Sequence, residues 1–171
     1  MENESFEESQ VLNISEVEES FVEEKGILSE PDNGEYSEVE QLGLIVGKAL
    51  FDFYNLSMTP EEYLSFIDQY GSTRLKEKMV DDPDETLVTL NNVQSILRER
   101  DLFGQEYTLS EIILDDENEN EAIMHRVTIL EDGQREYYRS LFVKENGHWM
   151  LEDDRPGEPF TIEQELENFS Y

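Results

Sequence analysis

Two dipeptides, Asp132-Gly133 and Asn146-Gly147, constrain this chain more than anything else in it. Each interrupts an apolar run. EAIMHRVTIL precedes the first, REYYRSLFVKE lies between them, and HWMLE follows the second. Asp-Gly and Asn-Gly tolerate positive φ at both central positions of a tight hairpin, which a type I′ turn requires. The stretch therefore predicts a three-stranded antiparallel meander over 121–131, 134–145 and 148–152.

Two-residue loops also set register. The first loop is expected to place Ile129 opposite Glu136, Val127 opposite Tyr138, His125 opposite Ser140 and Ile123 opposite Phe142. The second places Lys144 opposite Trp149 and Phe142 opposite Leu151. Side chains alternate across a strand. One face then holds Ile123, Val127, Ile129, Tyr138, Phe142, Trp149 and Leu151, and is expected to pack on helices. The other holds Met124, Leu130, Tyr137, Leu141, Val143 and Met150 among Arg126, Arg135 and Arg139. A slip of one residue exchanges the faces.

The helices come first in the chain. EVEQLGLIVGKALFDFY repeats apolar residues at helical spacing over 38–54, with Val39, Leu42, Ile45, Val46, Ala49, Leu50 and Phe53 on one side. Ser37 and Glu40 have the capping-box spacing. Gly43 and Gly47 suggest close packing on the other side. Thr59-Pro60-Glu61-Glu62 starts a second helix that Gly71 ends, and Ser72 or Thr73 starts a short third. Residues 85–101 read as a fourth, with Leu87, Leu90, Val93, Ile96 and Leu97 inward and Gly104 as its stop. Glu106–Leu114 reads as the first strand, and Thr161 as the cap of a last helix carrying Ile162 and Leu166. The fold class is α+β: N-terminal helices packed on a curved four-stranded antiparallel sheet, cone-like, preceded by a disordered acidic tail.

Charge separates the tail from the rest. The chain of 171 residues holds 43 acidic against 12 basic residues, a net of −31. Residues 1–40 alone contain 14 acids and one lysine, Lys25. So much like charge on so few apolar residues does not offset the entropy of ordering. Residues 1–37 are expected to be largely disordered, and 38–171 to fold as one domain. A field of this sign repels nucleic acid and anionic membranes and favours a basic partner for the tail. No run of 18 apolar residues is present, so no membrane span is expected. The chain has no cysteine, which excludes disulfides and thiol chemistry. With Met1 as the native start the protein is expected in the cytoplasm. As a piece of a longer protein it is expected outside the cytoplasm, tethered to a surface.

The order of helices and strands, and the wording of Leu141-Phe142-Val143-Lys144-Glu145-Asn146-Gly147-His148-Trp149-Met150-Leu151, resemble the nuclear transport factor 2-like (cystatin-like) superfamily. The resemblance covers roughly 38–153 and is closest to accessory domains of bacterial lipoproteins and conjugation proteins. It implies a bent sheet wrapping a helix, with homodimerisation through the sheet as the usual arrangement. It implies no reaction, because the superfamily holds enzymes, adaptors and binding modules alike.

Little chemistry stands out. Ketosteroid isomerase and related enzymes of the superfamily place an Asp or His base beside a Tyr or Asp donor inside the cone. Here the candidates are His125, Tyr138, Asp52 and Tyr54, and no acid falls where the apolar pattern demands burial. Asp116-Glu117-Asn118-Glu119-Asn120 begins like a calcium loop, but Glu121 and Val127 replace its glycine and its bidentate glutamate. No catalytic residue, metal ligand or cofactor is therefore assigned. The reading is a non-catalytic binding or accessory module. Its sheet face or cone groove is presented to a protein, a second copy or a small apolar ligand through Tyr54, Tyr107, Tyr137, Leu141, Val143 and Met150. The alternatives are a small isomerase or dehydratase with a base in its cavity, and an acidic DNA mimic that occupies a basic protein.

Overall fold

The computed structural model describes residues 37–159. The expectations for the acidic tail and for the helix capped by Thr161 lie outside them. Four helices come first: α1 (Glu38–Tyr54), α2 (Pro60–Tyr70), α3 (Thr73–Met79) and α4 (Pro83–Arg100). Five strands follow: β1 (Gly104–Leu109), β2 (Ile113–Leu114), β3 (Glu121–Leu130), β4 (Arg135–Glu145) and β5 (His148–Pro156). Helices followed by an antiparallel sheet is the expected α+β arrangement.

The helix starts are set by side chains that satisfy orphan backbone donors. Ser37 and Glu40 form the expected capping box, and Thr59 and Glu62 form a second, with Pro60 in the first turn of α2. Ser72 caps α3. α4 begins earlier than expected, at Pro83. Asp82 accepts the Glu85 N–H, and proline suits the first turn. Gly104 does not stop this helix. Asp101, in the left-handed region at φ 50°, does, and Gly104 opens β1.

The sheet runs β1-β3-β4-β5, with β2 paired to β3 beyond the end of β1. The single strand expected over 106–114 is thus two. Ser110 separates them: its Oγ, instead of a backbone carbonyl, accepts the His125 N–H at 2.9 Å.

The second hairpin has the expected register, with Lys144 opposite Trp149 and Phe142 opposite Leu151. Its loop residues, Asn146 at φ 52° and Gly147 at φ 82°, have the two positive φ values of a type I′ turn. The first hairpin is displaced by one residue. Ile129 faces Arg135, Val127 faces Tyr137, His125 faces Arg139 and Ile123 faces Leu141. Only Gly133 has positive φ, +83°, in this loop. Its N–H and that of Leu130 close a three-residue loop, donating to the carbonyls of Leu130 and Gln134. Such a loop is a type I turn followed by a left-handed glycine. Asp132 supports it by accepting the Gln134 N–H at 2.9 Å. The extra residue turns β3 over.

Ala122, Met124, Arg126, Thr128 and Leu130 therefore point at the helices, beside Ser140, Phe142 and Leu151. Ile123, Val127 and Ile129 go to the outer face with Tyr137, Leu141, Val143 and Met150. The architecture survives because β3 carries apolar residues of both parities.

α1 lies on the inner face and packs against β1, β3 and β5. Its core side is the expected one, Val39, Leu42, Val46, Ala49, Leu50 and Phe53, except that Ile45 is 41% exposed. Gly43 and Gly47 bring the helix close to the sheet. A Cβ on Gly47 would meet Leu109 at 2.7 Å, and one on Gly43 would meet Ile112 at 2.9 Å. α4 packs against α2 along a narrow stripe of Leu90, Gln94 and Leu97, which leaves Ile96, expected inward, 64% exposed. Gln94 takes the place of an apolar residue there. Its Nε2 donates to the carbonyls of Phe53 (3.2 Å) and Met58 (2.8 Å), tying α4 to the end of α1.

Two glycines separate steric from conformational strain. Gly47→Ala is expected to cost about 1 kcal/mol net in urea unfolding, because about 1–3 kcal/mol of overpacking exceeds the helix propensity regained. Gly133→Ala has nothing within 4 Å and is expected to cost about 1–2 kcal/mol through backbone conformation alone. The Gly47 loss is expected to shrink when Leu109→Ala makes room, whereas the Gly133 loss stays the same.

Candidate functional site

The turned-over β3 places a full positive charge inside the protein. Arg126 is 1% exposed, the largest fully buried side chain among the described residues. Its Nη1 and Nη2 donate to Asp154 Oδ1 and Oδ2 at 3.4 and 3.3 Å. Ser140, between them on β4, donates to Asp154 Oδ1 at 2.7 Å. The three come from adjacent strands: Ser140 faces Asp154, and Arg126, opposite Tyr138, reaches the carboxylate from the next position along β3 on the same face. A register shift in β5 between its partners Leu141 and Phe142 is what brings Asp154 to the inner face. Arg126 Nε is buried and has no hydrogen-bond partner, so the charge is neutralised but not fully satisfied.

The guanidinium also lies over the Tyr138 ring, 4.6 Å from its centroid. Tyr138 donates its hydroxyl to Glu136 Oε2 at 3.0 Å, and Arg100 at the end of α4 donates to Glu136 Oε1 at 2.9 Å. Tyr54 stacks on Tyr138 with centroids 5.6 Å apart. Tyr54 then meets the edge of Phe53, and Phe53 stacks on Tyr63. The aromatic contacts run from the buried ion pair into α2 without a break.

These groups line a cleft between the end of α1 and the sheet. Tyr54, Arg100, Arg126, Glu136 and Tyr138 supply its polar wall, and Leu50, Phe51 and Leu130 its apolar one. Its cavity volume is about 10 Å³, the space in which the centre of one water molecule can move. Burial pushes the Tyr54, Tyr63 and Tyr138 hydroxyls above their usual 10.0, and the Glu136 carboxylate adds to the effect at Tyr138. All three therefore remain neutral donors through the physiological range. Among the described residues no group of three or more His, Cys, Asp or Glu could hold a metal ion.

The six residues expected at a binding surface divide between the two faces. Tyr137, Leu141, Val143 and Met150 come together on the outer face, half-buried, with Val143 paired to Met150. Tyr137, Thr108 and His125 each take part in a further interaction. Tyr54 lies on the inner side, half-buried in the cleft. Tyr107 is 4% exposed on the inner face and stacks on Phe51 at 4.6 Å, so it is core. His125 is on the outer face opposite Arg139, away from the cleft. Sequence reasoning missed Arg126, assigning it to the wet face. The signal for it was the three-residue reading of Glu131-Asp132-Gly133, which reverses β3.

Breaking the buried pair leaves an uncompensated charge. Asp154→Ala is expected to lose about 3–5 kcal/mol of stability, whereas Arg126→Met with Asp154→Leu recovers most of it, because the apolar pair needs no desolvation. Equilibrium unfolding of the single and double variants checks this.

The tyrosines give an alkaline limit. Above about pH 10 the unfolded chain releases hydroxyl protons that the folded chain keeps. Their contribution to stability is fully present below about pH 10 and declines as pH rises beyond it. Absorbance at 295 nm is expected to show these three hydroxyls ionising only with unfolding, and Tyr63→Phe to flatten the decline.

No family model matches the chain, and no curated protein matches it. In structure the chain is similar to a candidate NTF2-like transpeptidase from Campylobacter jejuni, with a TM-score of 0.42 and 11% identity over 68% of this chain and 99% of that one. It is also similar to the intermembrane space region of chloroplast protein ARC6, with a TM-score of 0.40 and 8% identity over 73% of this chain and all of that one, 100%. Neither likeness bears on what the chain binds.

Proposed function

We propose that the chain is a non-catalytic binding module that presents the outer face of its sheet to another polypeptide. The observation that carries this reading is the composition of that face. Ile123, Ile129, Tyr137, Leu141, Val143 and Met150 are half-buried across three adjacent strands, while the described helices pack on the inner side. A solvated face of an antiparallel sheet ordinarily alternates to polar residues. Arg139 separates Tyr137 from Leu141, Val143 and Met150 on this face, and apolar side chains gathered on a sheet in this way mark a contact site. Arg139, between Tyr137 and Leu141, and Arg135, opposite Ile129, lie exposed on the same strand and offer donors to a partner's carboxylates or carbonyls.

The cleft supports the same reading by its size. A water-sized space beside an arginine already matched to Asp154 suits neither a small apolar ligand nor a substrate. Its polar groups serve one another: Tyr138 and Arg100 both bond Glu136, and Ser140 and Arg126 both bond Asp154.

A photoreactive residue in place of Val143, in the full chain, is expected to yield one discrete adduct in cells that make the protein. Adding Leu141→Asp is expected to abolish it. An adduct of twice the chain's mass identifies a second copy, and any other discrete mass a different protein. No adduct, or an equal yield from a photoreactive residue at Asp84 on the helical side, overturns the proposal.

A further inference from the structure

α4 carries a second surface with a different character. Residues 86–97, TLVTLNNVQSIL, contain no charged side chain, in a chain that is 32% charged with a net of −31. Inward, Leu90, Gln94 and Leu97 explain part of this. Outward, nothing in the packing of the described residues does. Val88 is 62% exposed and Ile96 64%, and Asn92 lies exposed between them. Four-residue steps put the three on one side of the helix, the two aliphatic groups about 12 Å apart. Glu85 and Glu99, both exposed, continue the same side at either end.

That pattern selects among occupants. A second copy is disfavoured. Antiparallel pairing about Asn92 sets Glu85 against Glu99 at both ends, and parallel pairing sets each acid against itself. A helix with apolar residues at its centre and basic residues at both ends matches in apolar spacing and in charge. The acidic field of the whole chain also speeds its approach. We infer that the exposed face of α4 docks such a basic-ended amphipathic helix from another protein. One helix face offers less than the roughly 800 Å² per partner of a standard interface, so the contact is transient.

The probe is an alanine-based peptide of about 19 residues, with lysine pairs at both ends and two leucines eight positions apart. It is titrated into the full chain and followed by amide chemical shifts. Shifts are expected on the outward side of α4. Val88→Asp with Ile96→Asp is expected to weaken binding about tenfold or more through the lost aliphatic contact. That variant has two added acids, so attraction to charge alone predicts the opposite. Replacing the peptide's leucines by alanine is expected to weaken binding to the unaltered chain equally, which decides the matter should the variant unfold. Leu141→Asp on the sheet is expected to leave binding unchanged, which separates this surface from the one proposed above. Absent binding, shifts scattered over the acidic surface, or binding indifferent to the leucines or to the α4 substitutions each overturn the inference.

Discussion

The left-handed conformation of Gly133 decides what is inside this protein. Strands have a period of two, so one additional loop residue sends every side chain of β3 to the opposite face. With Gly133 at φ +83° the loop has three residues, and Met124, Arg126 and Leu130 turn inward. Everything on the inner side follows from that register. Met124 reaches the backbone of α1 at Gly43, Leu109 reaches it at Gly47, and Arg126 must find a counter-charge in the interior. α1 can approach so closely only because its two glycines face the sheet.

An interior arginine is expensive unless its geometry is well matched. This one recruits two neighbouring strands: Asp154 from β5 as counter-ion, and from β4 Ser140 to hold that carboxylate and Tyr138 to cover the guanidinium face. The price is specificity of register, since a slip on β5 would withdraw Asp154 and leave the charge alone. The same demand explains why the space between α1 and the sheet is almost closed. Tyr54, Tyr138, Glu136 and Arg100 are drawn together by stacking and hydrogen bonds, and they fill the volume in which a larger cavity would lie.

The parts legible in the sequence were those governed by neighbours in the chain. Ser37 with Glu40, and Thr59-Pro60 with Glu62, declared two helix starts because capping is local chemistry. Asn146-Gly147 declared its hairpin and register for the same reason. Asp132-Gly133 looked equivalent and was not. Asp-Gly satisfies both a two-residue type I′ loop and the end of a three-residue loop, and β3 has apolar residues of either parity, so the pattern could not arbitrate. Tyr137, Leu141, Val143 and Met150 lie on the outer face as expected because β4 keeps its parity and β5 keeps its own as far as Leu151. Tyr107 was misjudged because nothing local reports that Phe51 lies beneath it. Ile96 was misjudged because helical spacing cannot tell which flank of α4 meets α2, a choice made by Gln94 reaching the carbonyls at the end of α1.

Charge gives the uncharged surfaces their meaning. Several of the few basic residues are committed to acids within the fold: Lys48 to Asp52, Arg74 to Glu152, Arg100 to Glu136, Arg126 to Asp154 and Arg155 to Asp153. The excess acids are left to repel one another through solvent. Against that background, apolar surface free of acids does not arise from solubility alone, which a glutamate at any of those positions would serve better. Two regions are largely apolar, the outer sheet face around Leu141, where Asp153 is paired with Arg155, and the outward side of α4 between Glu85 and Glu99. They differ in the charges beside them, arginines on the first and glutamates on the second. Partners that fit one therefore do not fit the other. On the reading proposed for these two surfaces, the chain would hold two unlike polypeptides at once, with its interior occupied by structure.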